Sequence, residues 1–162
     1  MTQPKRPAEE ERLDFFIGTW TNSGHVSPGA FGPGGPASGT TGYRWDVGGR
    51  WLLYHSRFDI RGLGRYEVHG GLSFNSRTGK YDAYAANSLG NLLVYEGEWS
   101  DGDKLIFTQI HPGPKGTSRL IYTFSGKGSI RMISQRLAAG GKFETYFETT
   151  FSRPKTEKGK EE

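Results

Sequence analysis

The sequence predicts an all-β protein: a single up-and-down antiparallel β-barrel of about ten strands with a short N-terminal helical plug. The length of 162 residues suits one domain that can bury a substantial core. Aromatic residues make up 14% of the chain and glycine occurs 25 times, which is typical of strands joined by tight turns. Strand-like segments follow one another without a second helical segment, and closing such a sheet removes its exposed edges.

The first predicted element is the plug, an apolar segment over residues 13–17 that runs directly into Gly18-Thr19-Trp20. Turns such as Gly48-Gly49 and Asp101-Gly102 separate the later segments, because these residues tolerate the backbone angles of hairpin turns. The predicted strands cover residues 18–27, 40–47, 50–60, 65–74, 80–88, 92–99, 104–111, 117–124, 129–137 and 142–152.

The two ends of the chain and one internal segment differ from this pattern. Residues 1–12 and 154–162 are rich in Lys, Glu and Pro and lack periodicity, so we predict flexible tails around a barrel domain of residues 13–153. Residues 28–39 form the longest predicted connection and carry one large apolar residue, Phe31. This connection is either a mobile lid over the barrel mouth, with Phe31 at its edge, or a disordered insertion.

Composition excludes several classes of function. The chain has no cysteine, so it has neither disulfides nor a thiolate nucleophile or metal ligand. The net charge is +4, but no Lys/Arg cluster with interleaved aromatic residues is present, so we expect no nucleic-acid partner. No apolar run approaches the length of a bilayer span, and the first residues lack the apolar region of a signal peptide, so we expect no membrane partner and a cytoplasmic location. We expect a monomer or a homodimer.

The hairpin predicted from the strands over residues 50–60 and 65–74 suggests which side chains share a face. A turn at Gly62-Leu63 places His55 opposite His69 and Arg57 opposite Glu67 on one face. Aromatic and aliphatic residues occupy the other face, so this hairpin alone favours a solvent-exposed histidine row. The pairing of the later strands favours the reverse, because it adds more aromatic residues to the histidine face. We therefore predict that the histidine face lines the lumen, although one bulge would invert every later assignment.

A lumen built in this way is amphipathic. Its predicted apolar wall consists of Trp51, Leu53, Tyr84, Tyr95, Phe107, Met132 and Phe147. Its predicted polar end consists of His55, Arg57, Glu67, His69, Gln109, His111 and Arg119. Such a lumen suits a small aromatic or fatty molecule that carries a carboxylate, a carbonyl or a hydroxyl group.

Catalysis is the main alternative to simple binding. His55 and His69, supported by Glu67, could transfer protons on an enclosed substrate, as in a cofactor-independent isomerase, cyclase or lyase. No nucleophilic serine motif or dinucleotide fingerprint is present, so we expect neither covalent hydrolysis nor nicotinamide chemistry, and no cofactor. The histidines lack His-x-His or His-x-x-x-His spacing, so no metal site is assigned. A metal- or haem-binding barrel and a structural barrel without a ligand are lesser alternatives.

Several short motifs resemble the lipocalin-like bacterial family of unknown function within the calycins, over about residues 13–153. These motifs are Phe16-Ile17-Gly18-Thr19-Trp20, Val47-Gly48-Gly49-Arg50-Trp51-Leu52, Gly70-Gly71-Leu72-Ser73-Phe74-Asn75, Lys80-Tyr81 and Asn87-Ser88-Leu89-Gly90. The resemblance implies a small antiparallel barrel, like those of lipocalins and fatty-acid-binding proteins. It also implies a structural latch in which Arg153 stacks on Trp20.

The chain is also faintly similar to nitrobindins, ten-stranded barrels that bind haem through a histidine late in the chain. The last histidine here is His111, so no haem ligand is carried over from this similarity.

Overall fold

The computed structural model describes residues 5–29, 32–112, 116–126 and 128–154. A short helix, α1 (Ala8–Glu11), continues into a 3-10 turn (Arg12–Phe16) that precedes the strands. The strands are β1 (Gly18–Val26), β2 (Gly35–Asp46), β3 (Trp51–Ile60), β4 (Gly64–Asn75), β5 (Lys80–Asn87), β6 (Leu92–Ser100), β7 (Lys104–Gln109), β8 (Ser118–Ser125), β9 (Ser129–Leu137) and β10 (Phe143–Ser152).

The ten strands form a closed antiparallel barrel in which each strand pairs with its neighbours in sequence and β1 pairs with β10. The predicted fold class is therefore confirmed. Closure pairs the first and last strands, so this barrel has no free sheet edge. No helix among the described residues is long and apolar enough to cross a membrane.

The inner face of the wall is identified by burial along β3. Leu52, Tyr54, Ser56, Phe58 and Ile60 are buried, while the residues between them are exposed or half-buried. Successive side chains in a strand point to opposite faces, so the even-numbered residues of β3 face the lumen. The prediction that the histidine face lines the lumen is therefore wrong.

One end of the barrel is filled by the plug. Leu13, Phe16 and Trp20 are fully buried there. The Phe16 ring packs against those of Tyr43 and Tyr122, with ring centroids 4.9 and 5.3 Å away. The Trp20 indole donates a hydrogen bond to the Phe16 carbonyl at 2.7 Å, which fixes the plug to the first strand.

The latch implied by the resemblance is in contact at the same end. The guanidinium carbon of Arg153 lies 3.6 Å from the centre of a Trp20 ring, within the range of a cation–π interaction. Arg153 thus contacts the β1 residue whose indole is hydrogen-bonded to the plug.

The segment before the plug also packs on the barrel, in place of the flexible tail predicted up to residue 12. Arg6 forms an ion pair with Asp14 at 2.9 Å, and Glu10 is buried beside Arg50 at 3.0 Å. The Arg6 hydrogen bonds hold the pKa of Asp14 below its usual value. The Glu10–Arg50 pair joins residues that are 40 positions apart, and composition does not reveal such a contact. The described part of the predicted C-terminal tail is Pro154 alone.

The longest connection is shorter than the sequence predicted, because β2 begins at Gly35 rather than at residue 40. Its glycine and small polar residues pair with β1, including Gly39 opposite Asn22. Phe31 lies outside the described residues, so its role at a lid stays a prediction. The connection joins the end of the barrel opposite the plug, where the lumen is not filled.

Candidate functional site

The lumen contains a cavity of about 100 Å³ towards the end opposite the plug. Tyr66, Val68 and Leu93 are only half-buried, so they mark where the cavity meets solvent. The cavity is lined by Val26, Tyr43, Tyr54, Ser56, Phe58, Ile60, Tyr66, Val68, Ala85, Asn87, Leu93, Tyr95, Leu120, Tyr122, Met132, Ser134, Tyr146, Phe147 and Phe151.

Tyrosine dominates the polar chemistry of this lining. Burial raises the pKa of Tyr95 to about 12, and it raises those of Tyr43, Tyr54 and Tyr122 well above the usual value. Burial disfavours the charged phenolate, so the pKa values of these neutral side chains lie further above the physiological range than that of a free tyrosine. The lumen therefore presents phenol hydroxyl groups, which can both donate and accept hydrogen bonds.

Charged side chains are absent from the lining as far as the structure describes it. The other polar groups of the lining are Ser56, Asn87 and Ser134. All three already have a partner, since Asn87 bonds to Tyr66, Ser134 bonds to Tyr146, and Ser56 Oγ is 2.8 Å from Thr41 Oγ1. A charged ligand group would lose its hydration in this cavity without gaining an ion pair, so the lining favours a neutral ligand.

Two glycines give the aromatic side chains room against the wall. A Cβ atom at Gly70 would overlap the Tyr54 ring, and one at Gly97 would overlap the Phe107 ring. Both rings can therefore lie against the barrel wall. Because the Tyr54 ring lies against the wall at Gly70, it leaves space in the lumen beside it, and Tyr54 is one of the residues that line the cavity.

A chain of hydrogen bonds crosses the inner wall over three strands. The Asn22 side-chain amide donates to Thr41 Oγ1 at 2.6 Å, and Thr41 Oγ1 is 2.8 Å from Ser56 Oγ. Asn22, Thr41 and Ser56 are all buried. We call these three residues the polar ladder; Ser56 is its member at the cavity surface.

The structure places five of the predicted ligand-binding residues on the inner face. Tyr95, Met132 and Phe147 line the cavity. Phe107 and Gln109 are also buried, but they pack beside the cavity rather than against it. Gln109 is held by its neighbours, because its Oε1 accepts a bond from Ser118 Oγ at 3.1 Å.

The predicted catalytic residues lie on the outer face, and this corrects the sequence-based site. His55 and His69 stack with ring centroids 4.6 Å apart. His55 Nε2 is 3.9 Å from Glu67 Oε2, and Arg57 Nε is 3.5 Å from Glu67 Oε1. Burial, followed by the nearby His69 and Arg57, lowers the pKa of His55. These groups thus form a solvent-facing cluster that does not contact the cavity.

The remaining predicted ligand-binding residues that the structure describes are also outside the lumen. Trp51 and Tyr84 contact each other on the outer face, with ring centroids 5.8 Å apart, and Leu53 is the next outward residue of β3. Arg119 lies 3.9 Å above the Phe143 ring and bonds to Gln135. His111 lies exposed beyond the end of β7.

The chain belongs to the family described as "Protein of unknown function (DUF1579)", which matches residues 5–153. The chain is also similar to the crystal structure of Rv2717c from M. tuberculosis, with a TM-score of 0.69 and 16% identity over 93% of this chain and 99% of that chain. A de novo designed fluorescence-activating β-barrel matches at a TM-score of 0.43 and 14% identity, over 88% of this chain and 96% of that chain. No curated protein matches the chain.

In this DUF1579 member, errors of one residue in the predicted strand pairing explain why predicted site residues were assigned to the wrong face. Tyr84 is opposite Val94, so Leu93 and Tyr95 lie on the face opposite the histidines. The sequence-based pairing had placed Tyr84 and Tyr95 on one face. A slip of one residue at the 88–91 turn exchanges the two faces of every following strand.

The structure departs from the predicted pairing at two further places later in the barrel. Phe107 is opposite Leu120, which places Arg119 outside rather than beside Phe107. A β-bulge between Thr145 and Phe147 shifts the register of β10, and Tyr146 and Phe147 both line the cavity. A bulge of this kind leaves no clear signal in an alternating aromatic sequence.

Sequence reasoning missed the polar ladder and the buried tyrosines other than Tyr95. The β3–β4 hairpin contained the signal for part of this set, because in isolation it favoured Phe58 and Tyr66 as core residues. No comparable signal identifies Tyr43 or Tyr122. Among the described residues, no three His, Asp or Glu side chains converge in a way that could hold a metal ion.

Proposed function

We propose that this protein binds a small, neutral, partly aromatic molecule in the barrel lumen, in the manner of lipocalin-like barrels. The observation that carries the proposal is the cavity of about 100 Å³ with its uncharged, tyrosine-rich lining. Concave, mostly apolar sites with a few polar groups are the usual form of small-molecule sites.

The cavity volume limits the ligand. An engineered protein cavity of about 150 Å³ takes benzene, so a space of about 100 Å³ suits at most a single ring, with any further atoms at the mouth. A long fatty chain does not fit without rearrangement of the lining. Size therefore favours the aromatic ligands of the sequence-based hypothesis over the fatty ones.

The lining also limits which polar group the ligand can carry. Arg57 and Arg119, the cations expected to meet a carboxylate, both lie on the outer face. A carbonyl or a hydroxyl group is better matched to tyrosine and serine hydroxyl groups than a carboxylate is. The isomerase, cyclase or lyase alternative loses its support, because His55, His69 and Glu67 do not face an enclosed substrate.

A matched pair of variants tests binding in the lumen. Ala85 lines the cavity, whereas its neighbour Ala86 is exposed opposite His69 on the outer face. Ala85→Leu adds three carbon atoms inside the cavity, and Ala86→Leu adds the same atoms outside. With benzene as the probe, calorimetric titration should show affinity reduced at least about tenfold by Ala85→Leu and unchanged by Ala86→Leu.

Equal benzene affinities for the two variants would contradict the proposal, as would the absence of benzene binding to the wild-type protein. Far-ultraviolet circular dichroism of both variants confirms that the barrel is intact before the affinities are compared.

A further inference from the structure

The polar ladder is an unusual feature of the inner wall. Asn22 on β1, Thr41 on β2 and Ser56 on β3 form a continuous line of side-chain hydrogen bonds. Thr41 and Ser56 are directly opposite each other in the barrel, which fixes their separation through the strand pairing. The ladder therefore leads from the β1 side of the wall to one hydroxyl group at the cavity surface.

Either Thr41 or Ser56 can donate the hydrogen bond between their hydroxyl groups, and the direction of this bond determines what Ser56 offers to the cavity. Asn22 Nδ2 donates to Thr41 Oγ1, so the Thr41 hydrogen is available for Ser56 Oγ, which is 2.8 Å away. A hydroxyl group has one donor hydrogen and two acceptor lone pairs. Once Ser56 accepts from Thr41, its own hydrogen can be donated into the cavity. Donor chains of this kind strengthen each bond along their length.

The wall near the ladder contains two buried polar atoms that lack partners. Asn22 Oδ1 and Thr149 Oγ1 have no hydrogen-bond partner among the described residues. Asn22 and Thr149 are 3% and 2% exposed, so neither atom is compensated by bulk solvent. An unpartnered buried polar group costs stability that an apolar side chain of the same shape would not.

A polar wall that costs stability is characteristic of a binding site rather than of a core that is optimised for folding. We infer that the polar ladder recognises an oxygen atom on a single-ring ligand, with Ser56 donating the hydrogen bond. The ligand class is thus a neutral phenol or aromatic carbonyl compound. This inference rests on the proposed function, since it assigns the polar end of the same cavity.

Phenol and benzene are suitable probes because they differ by one hydroxyl group and both are neutral at pH 7. The test compares their affinities, measured by calorimetry, for the wild-type protein and for Ser56→Ala. Ser73→Ala is the matched control, because Ser73 is a buried serine that donates to the Arg50 carbonyl at 2.7 Å and does not line the cavity.

We expect Ser56→Ala to weaken phenol binding about fivefold and to leave benzene binding within about twofold of the wild type. Ser73→Ala should leave the ratio of the two affinities unchanged. Thermal unfolding of both serine variants verifies that they are folded at the titration temperature.

The outcomes separate the two proposals. If benzene binds but Ser56→Ala weakens both probes equally or neither of them, the role of the ladder is wrong and the proposed binding function is retained. If Ser73→Ala changes the ratio of the phenol and benzene affinities as much as Ser56→Ala does, the proposed role of the ladder is also wrong. If neither probe binds the wild-type protein, both proposals fail.

Discussion

The inner and outer walls of the barrel both carry aromatic residues, but charged side chains occur on the outer wall and not in the described cavity lining. On the outer wall, Arg57 and Glu67 form an ion pair in water, beside two stacked histidines. On the inner wall, the cavity-lining tyrosines are neutral, and burial raises their pKa values further above the physiological range. The histidine, arginine and glutamate side chains, whose catalytic chemistry is easiest to recognise in a sequence, therefore do not lie at the candidate binding site. The chemistry proposed for this lumen depends on ordinary hydroxyl groups in an enclosed space.

The largest expected contrast between the walls is in stability. Phe58 is 4% exposed and packs against Phe147 with ring centroids 5.4 Å apart, whereas Trp51 is a half-buried residue of the outer wall. Phe58→Ala should lower the free energy of unfolding by about 3 kcal/mol, because it removes a buried ring. Trp51→Ala should lower it by about 1 kcal/mol or less.

Urea unfolding of the two variants measures both changes. A loss for Trp51→Ala as large as that for Phe58→Ala would show that the outer aromatic residues are covered, and the assignment of the two walls would then need revision.

A smaller contrast is expected within the inner wall. Thr41→Val should destabilise the protein by about 1–3 kcal/mol, because it leaves the Asn22 amide without its acceptor in a buried place. Thr149→Val removes a hydroxyl that has no partner among the described residues, so stability should be unchanged or about 1 kcal/mol higher. Chemical unfolding of both variants checks this, and a destabilised Thr149→Val would mean that its hydroxyl has a partner.

The smallest expected effect is a pH dependence of stability that arises from His55 on the outer wall. Because the pKa of His55 is lowered in the folded protein, folding favours its neutral form. This contribution to stability is present above the unfolded pKa of about 6.5, and it is lost as pH falls through the folded pKa. The free energy of unfolding should therefore fall less between pH 7.5 and pH 5 in His55→Asn than in the wild type.

The measurement is the free energy of unfolding of the wild type and of His55→Asn at both pH values. Benzene affinity should stay constant over the same range, since none of the described lining residues titrates there. A pH-dependent benzene affinity that disappears in His55→Asn would link the histidine cluster to the lumen and contradict the separation of the walls.

The fold and one hairpin could be predicted from the sequence. Turn residues and alternation are local signals, and the pairing of His55 with His69 followed from the turn at Gly62-Leu63, as the structure confirms. The burial of Phe58 opposite Tyr66 was also indicated by that hairpin alone.

The rest of the site could not be predicted, because the inner face of each strand had to be inferred from the strand before it, across several turns. Trp51, Leu53 and Tyr84 give the outer wall an apolar character, so alternation alone does not distinguish the faces. A slip of one residue at a turn or bulge then reverses the faces of the following strands. The polar ladder depends on distances between three strands, and no sequence spacing encodes them.

The most direct test of binding in the lumen uses Met132, which lines the cavity and is one of two methionines in the chain. Labelling the methionine methyl groups with carbon-13 gives two resonances, and Met132→Leu assigns the one from the cavity. We predict that the Met132 resonance shifts progressively and saturates as benzene is added. A Met132 resonance that does not move while benzene binds to the protein would place the ligand elsewhere and contradict the account.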